Sequence, residues 1–280
     1  MIGALFANLA ILLYILGAAG YLVFIFRQNK QAGQGAAWMI RLGFVLQSIS
    51  LILRTADLGQ LPILNMTEAL GFYGWALVGV YLLLSFKFDI PALGAFVSPM
   101  AAAMILLSLL IPARPLTVVP IFQSVWLTVH LGAIFIGYGF FSLAFVAGVM
   151  YLLQEHQIKA KLTGGLYRRL PSLNALDTLN YYSLSMGFPM ITLGIIFGAI
   201  YAQLSLGTYW RWDPKEVWSL ITWLIYAALL HQRLTVGWRG RRAALLSIVG
   251  FSVLCFTFLG VSYFFSGYHS FDSLKRLQMK

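Results

Sequence analysis

Between positions 207 and 218 the chain reads Gly-Thr-Tyr-Trp-Arg-Trp-Asp-Pro-Lys-Glu-Val-Trp, with three tryptophans, one tyrosine and four charged side chains. A connection that only had to reverse the chain would draw on Gly, Pro, Asn or Ser. Tyr209, Trp210, Trp212 and Trp218 instead offer flat apolar faces, and Arg211 and Lys215 add positive charge. That combination suits a large, planar, anionic ligand. The same aromatics would also serve as an interfacial belt, because Trp and Tyr favour the headgroup region of a bilayer. On these residues alone both readings stand.

The four histidines are the second source of chemistry. His130 ends the run Trp126-Leu-Thr-Val-His130, and His269 sits in Gly267-Tyr-His-Ser-Phe271, so the aromatic segment lies between them in sequence. Imidazole is a good axial ligand for haem iron. Two of them from different segments could clamp one iron, with aromatic faces against the macrocycle and Arg211 or Lys215 beside its propionates. Each histidine alone is equally an interfacial polar residue. His231 closes Tyr226-Ala-Ala-Leu-Leu-His231 inside an apolar run, where an ionisable side chain is costly and marks a functional site. A helix end meeting water at Gln232 and Arg233 explains it as well. His156, beside Glu155, reads as solvated. Asp213 belongs to the same aromatic segment and is a candidate ligand contact. Asp213 before Pro214, with Glu216 three residues on, is also ordinary helix-start chemistry, and that role is favoured for both acids. Glu68 near Asn65 reads similarly. The lone Cys255 excludes dithiol chemistry and a cysteine-rich metal site within this chain.

The elements that carry these residues belong in a membrane. Hydrophobic residues make up 60% of the 280 positions and charged residues only 10%, against about 25% charged in a soluble domain; mean hydropathy is +0.84. The net charge of +11 could suggest nucleic acid, but the basic residues fall in short loops between apolar runs, which excludes a basic stripe on a soluble domain. The expected fold is all-α: one polytopic membrane domain over residues 1–280, embedded in a lipid bilayer. Eight apolar stretches could each cross a core of about 30 Å, at approximately 2–26, 37–56, 67–86, 91–111, 123–153, 183–205, 218–236 and 244–266. Pro91 opens the fourth at a favourable first-turn position, while Pro99 and Pro189 lie inside spans and are expected to kink them. The fifth is long enough to tilt or project. Residues 154–182 read as the longest inside loop, basic and carrying at most a short amphipathic helix.

Lys and Arg divide unequally between the alternate loops, 12 against 7. The positive-inside rule therefore puts both termini and the aromatic loop, 206–217, on the outer side. Ile2–Phe26 has no basic residue before it and Arg27 after it, which reads as a retained first helix rather than a signal peptide.

Gly207-Thr-Tyr-Trp-Arg-Trp-Asp-Pro-Lys-Glu216 resembles the tryptophan-rich "WWD" signature of the haem-handling proteins of cytochrome c maturation. Those are the CcsA/ResC type of system II and the CcmC and CcmF types of system I. The likeness extends to Asp177–Pro189, Trp218–His231, Gly237–Arg242, Gly267–Phe271 and the block from Pro62 to Trp75 with Asn65 and Glu68. It departs at Leu206, where such signatures often carry Trp before the glycine.

The resemblance implies a membrane subunit of a holocytochrome c synthase that binds haem b as its substrate, carries it outward and presents it to reduced apocytochrome c. It implies that His130 and His269 ligate the iron at an external site and that His231 serves an inner one. It further implies a CcsB/ResB-like partner subunit and a thioredoxin-like thiol reductant, in a bacterial inner membrane or a thylakoid. Two alternatives remain: a haem-delivery or regulatory protein of the same superfamily without synthase activity, and a small-molecule transporter with incidental histidines.

Overall fold

The computed structural model describes residues 2–63, 65–111, 123–162 and 164–265. Among these, every regular element is helical: α1 (Ile2–Arg27), α2 (Lys30–Leu58), α3 (Met66–Ser85), α4 (Pro91–Leu110), α5 (Val125–Lys159), the short α6 (Gly165–Arg169), α7 (Leu173–Leu206), α8 (Pro214–His231) and α9 (Arg241–Cys255). Wide π-type turns extend α8 through Gln232–Val236, and carry α9 through Phe256–Gly260 into α10, Val261–Phe264. The protein is a polytopic, all-helical membrane protein. Seven of its described helices are long and apolar enough to cross a membrane, with α9 and α10 forming one of them. The remaining expected span is helical too. Its first turn carries Lys215 and Glu216, so its apolar stretch is shorter than the others.

In hydrocarbon, helices gain little by hiding apolar surface from one another, and close van der Waals approach at small residues has to hold them. Helix α5 meets that demand with a glycine toward each of three neighbours. A Cβ on Gly137 would lie 3.1 Å from the Ile191 backbone nitrogen and 3.3 Å from the Gly187 carbonyl of α7. One on Gly139 would lie 3.1 Å from the Ala76 carbonyl of α3, and one on Gly148 2.9 Å from the Ala244 carbonyl of α9. Helix α5 is accordingly the centre of the bundle, with Phe141, Leu143, Ala144, Ala147 and Met150 wholly inaccessible. The α1–α2 hairpin closes in the same way, Gly17 against Ile40 and Gly20 against Ala36, and packs outside α4.

The expected inside loop at 154–182 is largely helix. Helix α5 runs on to Lys159 and α7 begins at Leu173, because polar residues beyond the apolar run still favour helix outside the hydrocarbon. Glu155 pairs with Lys159 one turn on at 2.9 Å, and Ser172 caps α7 by accepting from the Ala175 N–H. Helices α4 and α7 both continue through their internal prolines. As expected, Glu68 belongs to a helix start: Asn65 accepts its N–H at 2.8 Å. The Glu68 carboxylate pairs with Arg54 at 2.7 Å.

The bundle has two chemically different ends. One carries the connections α1–α2, α3–α4, α5–α7 and α8–α9 with most of the Lys and Arg; the other carries the aromatic loop. At the basic end, the buried Arg233 guanidinium donates to Asp177 Oδ1 at 3.1 Å, Oδ2 at 2.6 Å and the Asp177 carbonyl at 3.0 Å. Asp177 Oδ1 also accepts the Gly240 N–H at 2.7 Å. One carboxylate on α7 thereby pins the α8–α9 connection. Removing it would leave a buried guanidinium without its counter-charge, a change that costs roughly 3–5 kcal/mol. Asp177→Ala is therefore expected to lower unfolding stability in detergent by that amount. Glu155→Ala is expected to cost no more than about 1 kcal/mol, because its partners Lys159 and Arg241 are 62% and 59% exposed. Denaturant titration of both variants checks the contrast.

Candidate functional site

The aromatic loop is a tight bridge between two helix ends. Helix α7 stops at Gly207, whose φ of +75° is the left-handed cap that closes a helix when no Cβ intervenes. Helix α8 starts at Asp213, which accepts the Lys215 N–H at 2.9 Å and forms a capping box with Glu216. The favoured sequence reading of both acids as helix-start residues holds, and Asp213, 9% exposed, is engaged there rather than displayed.

Glu216 does more than the sequence suggested. One of its oxygens, Oε2, accepts the N–H of Arg211 at 2.8 Å and that of Asp213 at 3.3 Å. These amides flank Trp212, whose φ of +59° is left-handed. For a bulky residue that conformation is a true outlier and costs about 1–3 kcal/mol. The carboxylate sits in the concavity that such a backbone makes for an anion, and it offsets the strain. The only sequence signal for this role was the acid three residues after the cap.

The held backbone turns aromatic rings outward. Trp212 is 73% exposed and Tyr209 62%. Trp210 meets Trp212 edge-to-face at 6.0 Å between ring centres, and the Thr208 hydroxyl donates to the Trp210 carbonyl. Arg211 is exposed beside them. Trp218 is placed differently: it lies in α8 and packs edge-on against Phe256 at 4.6 Å, and with Phe256 and the α9 residues Ile248, Val249 and Val253 it lines an apolar groove of about 370 Å³. Its carbonyl accepts from Thr222 and Thr257. Lys215 ties the loop to the last described turn by donating to Ser262 Oγ at 3.3 Å.

His130 lies at this same end of the bundle, on α5 and half-buried against α7. Its Nδ1 is 2.6 Å from the Gly194 carbonyl oxygen. A carbonyl carries no proton, so Nδ1 holds the hydrogen and, in the neutral ring, the lone pair is on Nε2. A metal-ligating histidine is commonly held this way, because the bond through its other nitrogen fixes the tautomer and raises ligand basicity. Trp126, one turn before His130 on α5, pairs with Phe197 of α7 at 6.0 Å between ring centres. From Gly198, against which the imidazole packs, to Gly207 the helix rises about 13 Å. His269 lies outside the described residues.

His231 is at the opposite end of α8 and exposed; its carbonyl accepts the Thr235 hydroxyl. The fold therefore puts His130 in the loop end of the bundle, a few turns of α7 below Gly207, and His231 at the opposite end. Among the described residues no group of three or more His, Cys, Asp or Glu could hold a metal ion.

These features define a class: a polytopic helical membrane protein with an exposed tryptophan loop at one end and, deeper in the same end, an imidazole whose tautomer is set by backbone. Residues 63–269 match the family described as Cytochrome C assembly protein. The chain is 33% identical to the cytochrome c biogenesis protein CcsA of Guillardia theta, over 95% of each chain. It is 34% identical to the CcsA protein of Parasynechococcus marenigrum, over 87% of this chain and 88% of that one. With the CcsA protein of Chlamydomonas reinhardtii the identity is 35%, over 83% and 67%. The chain belongs to the cytochrome c assembly family and, within it, to the CcsA proteins. A solved structure titled "Cytochrome c Heme Lyase CcmF" shares the fold, with a TM-score of 0.63, 18% identity and 92% of this chain covered. This chain spans about half of that structure's length, 46%.

Burial pushes the Lys215 ammonium down to about 8, with Asp213 opposing the shift. Between that value and its ordinary 10.5 the unfolded chain binds the extra proton, so Lys215 makes stability rise with pH across about 8 to 10.5. Acylation of Lys215 by an amine reagent is expected to reach half its maximal rate near pH 8. Peptide mass spectrometry over a pH series, with Lys30 and Lys87 as internal comparisons, measures it.

Proposed function

We propose that this protein acts in cytochrome c biogenesis by binding haem at the tryptophan-loop end and presenting it there to reduced apocytochrome c. The observation that carries this reading is the His130 imidazole, locked with Nδ1 on the Gly194 carbonyl, in the same end of the bundle as a strained loop that displays Trp212 and Tyr209. A backbone that spends free energy to expose a tryptophan is better explained by a ligand than by an interfacial belt. A belt needs the ring at the headgroup level but no left-handed residue.

In this reading His130 and His269 are the axial ligands at the external site, with Trp210, Trp212 and Tyr209 against the macrocycle. Arg211 and Lys215 balance the propionates. Trp218 backs the loop from α8, and Asp213 holds it in place. The unequal distribution of Lys and Arg supports an outward-facing position for this end, outside a bacterial inner membrane or in a thylakoid lumen. His231, exposed at the basic end, belongs to an inner site whose second ligand comes from a CcsB/ResB-like partner. The same amine reagent in membrane-impermeant form, applied from outside, reports which side Lys215 occupies.

The chemistry of attachment is the addition of each apocytochrome cysteine across a haem vinyl group. The sulfur bonds to one vinyl carbon, the thiol proton goes to the other, and no net electron transfer is needed. The thiols must arrive reduced, which is the task of a thioredoxin-like reductant. This chain contributes binding and orientation, the terms that proximity makes large, within a holocytochrome c synthase.

The purified protein, co-expressed with its partner subunit, is expected to show a Soret band with sharp reduced α and β bands. His130→Gly should lose that signal and regain it with added imidazole. A wild-type protein without haem would sink the reading and favour a transporter. Trp212→Gly separates structure from function in a second way. It relieves the left-handed backbone, so melting temperature should hold or rise, while haem retention and cytochrome c maturation fall. Unchanged maturation in that variant would count against the loop as the haem platform.

A further inference from the structure

We propose that Gly194 and Gly198 form a notch in α7 that sets the position and tautomer of His130, making Gly198 a positioning residue for the haem ligand. The proposal rests on the reading of His130 as that ligand. A Cβ at Gly198 would lie 2.6 Å from His130 Nδ1 and 2.8 Å from Cε1, so only glycine leaves room for the imidazole edge at this point. With that room, the edge reaches the carbonyl of Gly194, one turn back on the same helix, at 2.6 Å. That carbonyl has a second lone pair beyond the one used by the helix ladder.

The two glycines have different tasks. A Cβ at Gly194 would meet Ile134, at 2.6 Å from its Cδ1 and 3.2 Å from its backbone nitrogen. Ile134 is one turn from His130 on α5, so Gly194 admits the helix itself. At Gly198 the obstacle is the imidazole ring, which turns about two side-chain bonds. A methyl group there is absorbed by rotating the ring away, not by moving a helix. The Nδ1–carbonyl bond is then lost, the Nε2 lone pair is re-aimed, and ligand basicity falls.

The notch thus predicts a defect in ligation without a defect in folding. In the complex with its partner subunit, Gly198→Ala is expected to keep the wild-type melting temperature and weaken haem b retention by roughly ten- to hundredfold. The reduction potential of the remaining haem should move upward, and added imidazole should restore the wild-type Soret and α bands. Gly194→Ala should instead lower the melting temperature, and imidazole should not correct it. Wild-type haem content, spectrum and potential in Gly198→Ala would overturn the proposal. So would a haem loss that accompanies a lowered melting temperature and resists imidazole. Haem absent from the wild-type complex overturns the parent reading instead, and His130→Gly measured in parallel keeps the two failures apart.

Discussion

Helix α5 has to come within backbone contact of α3, α7 and α9 in a medium that gives packed helices almost no hydrophobic reward for associating. Most of what positions the site follows from how it does so. Gly137, Gly139 and Gly148 each face a different neighbour so closely that an added Cβ would crowd it, at 2.9 Å from a backbone oxygen in the case of Gly148. Because α5 and α7 run so close, Gly194 and Gly198 meet the face of α5 that carries Ile134 and His130. The imidazole then finds a helix carbonyl, a partner that most membrane helices keep covered by their own side chains. A polar group turned into a bundle needs such a partner, so the contact that packs the helices also orders the half-buried imidazole.

The tryptophan loop shows the complementary economy at a helix junction. Between the end of α7 and the start of α8 only Gly207 to Asp213 are available, and the left-handed Trp212 is the strained point. The strain is met locally, by the Glu216 carboxylate on the two flanking amides and by the Asp213 cap. Acids that look like a helix-start signal therefore hold an aromatic display. The half-buried Lys215, tied to Ser262, joins that display to the chain segment leading toward His269.

At the other end, Asp177 and Arg233 lock α7 to the α8–α9 connection with the polar groups turned inward. His231, a few residues before Arg233, is left on the surface. An exposed imidazole at the end of a membrane helix is suited to completion by another subunit, as the inner-site reading requires.

The membrane class and the helical segments were legible in the residues alone, and the haem-handling reading in their resemblance to a family signature. Composition, run length and charge distribution are set by the bilayer, and a tryptophan-rich segment with flanking histidines is a local pattern. Helix ends were less legible: 154–182 read as a loop because hydropathy reports where hydrocarbon stops, whereas polar helix continues into water on i,i+4 pairs and caps. The site's geometry was not legible at all. Nothing in Gly194-Ile-Ile-Phe-Gly198 announces that it faces His130 some sixty positions earlier, and no propensity assigns a left-handed conformation to Trp212. Those features arise only when two helices meet and two helix ends must be joined in seven residues, Gly207 to Asp213. Chemistry is a property of residue types and can be read along the chain; tautomer, strain and exposure are properties of neighbours, and only the packed bundle supplies them.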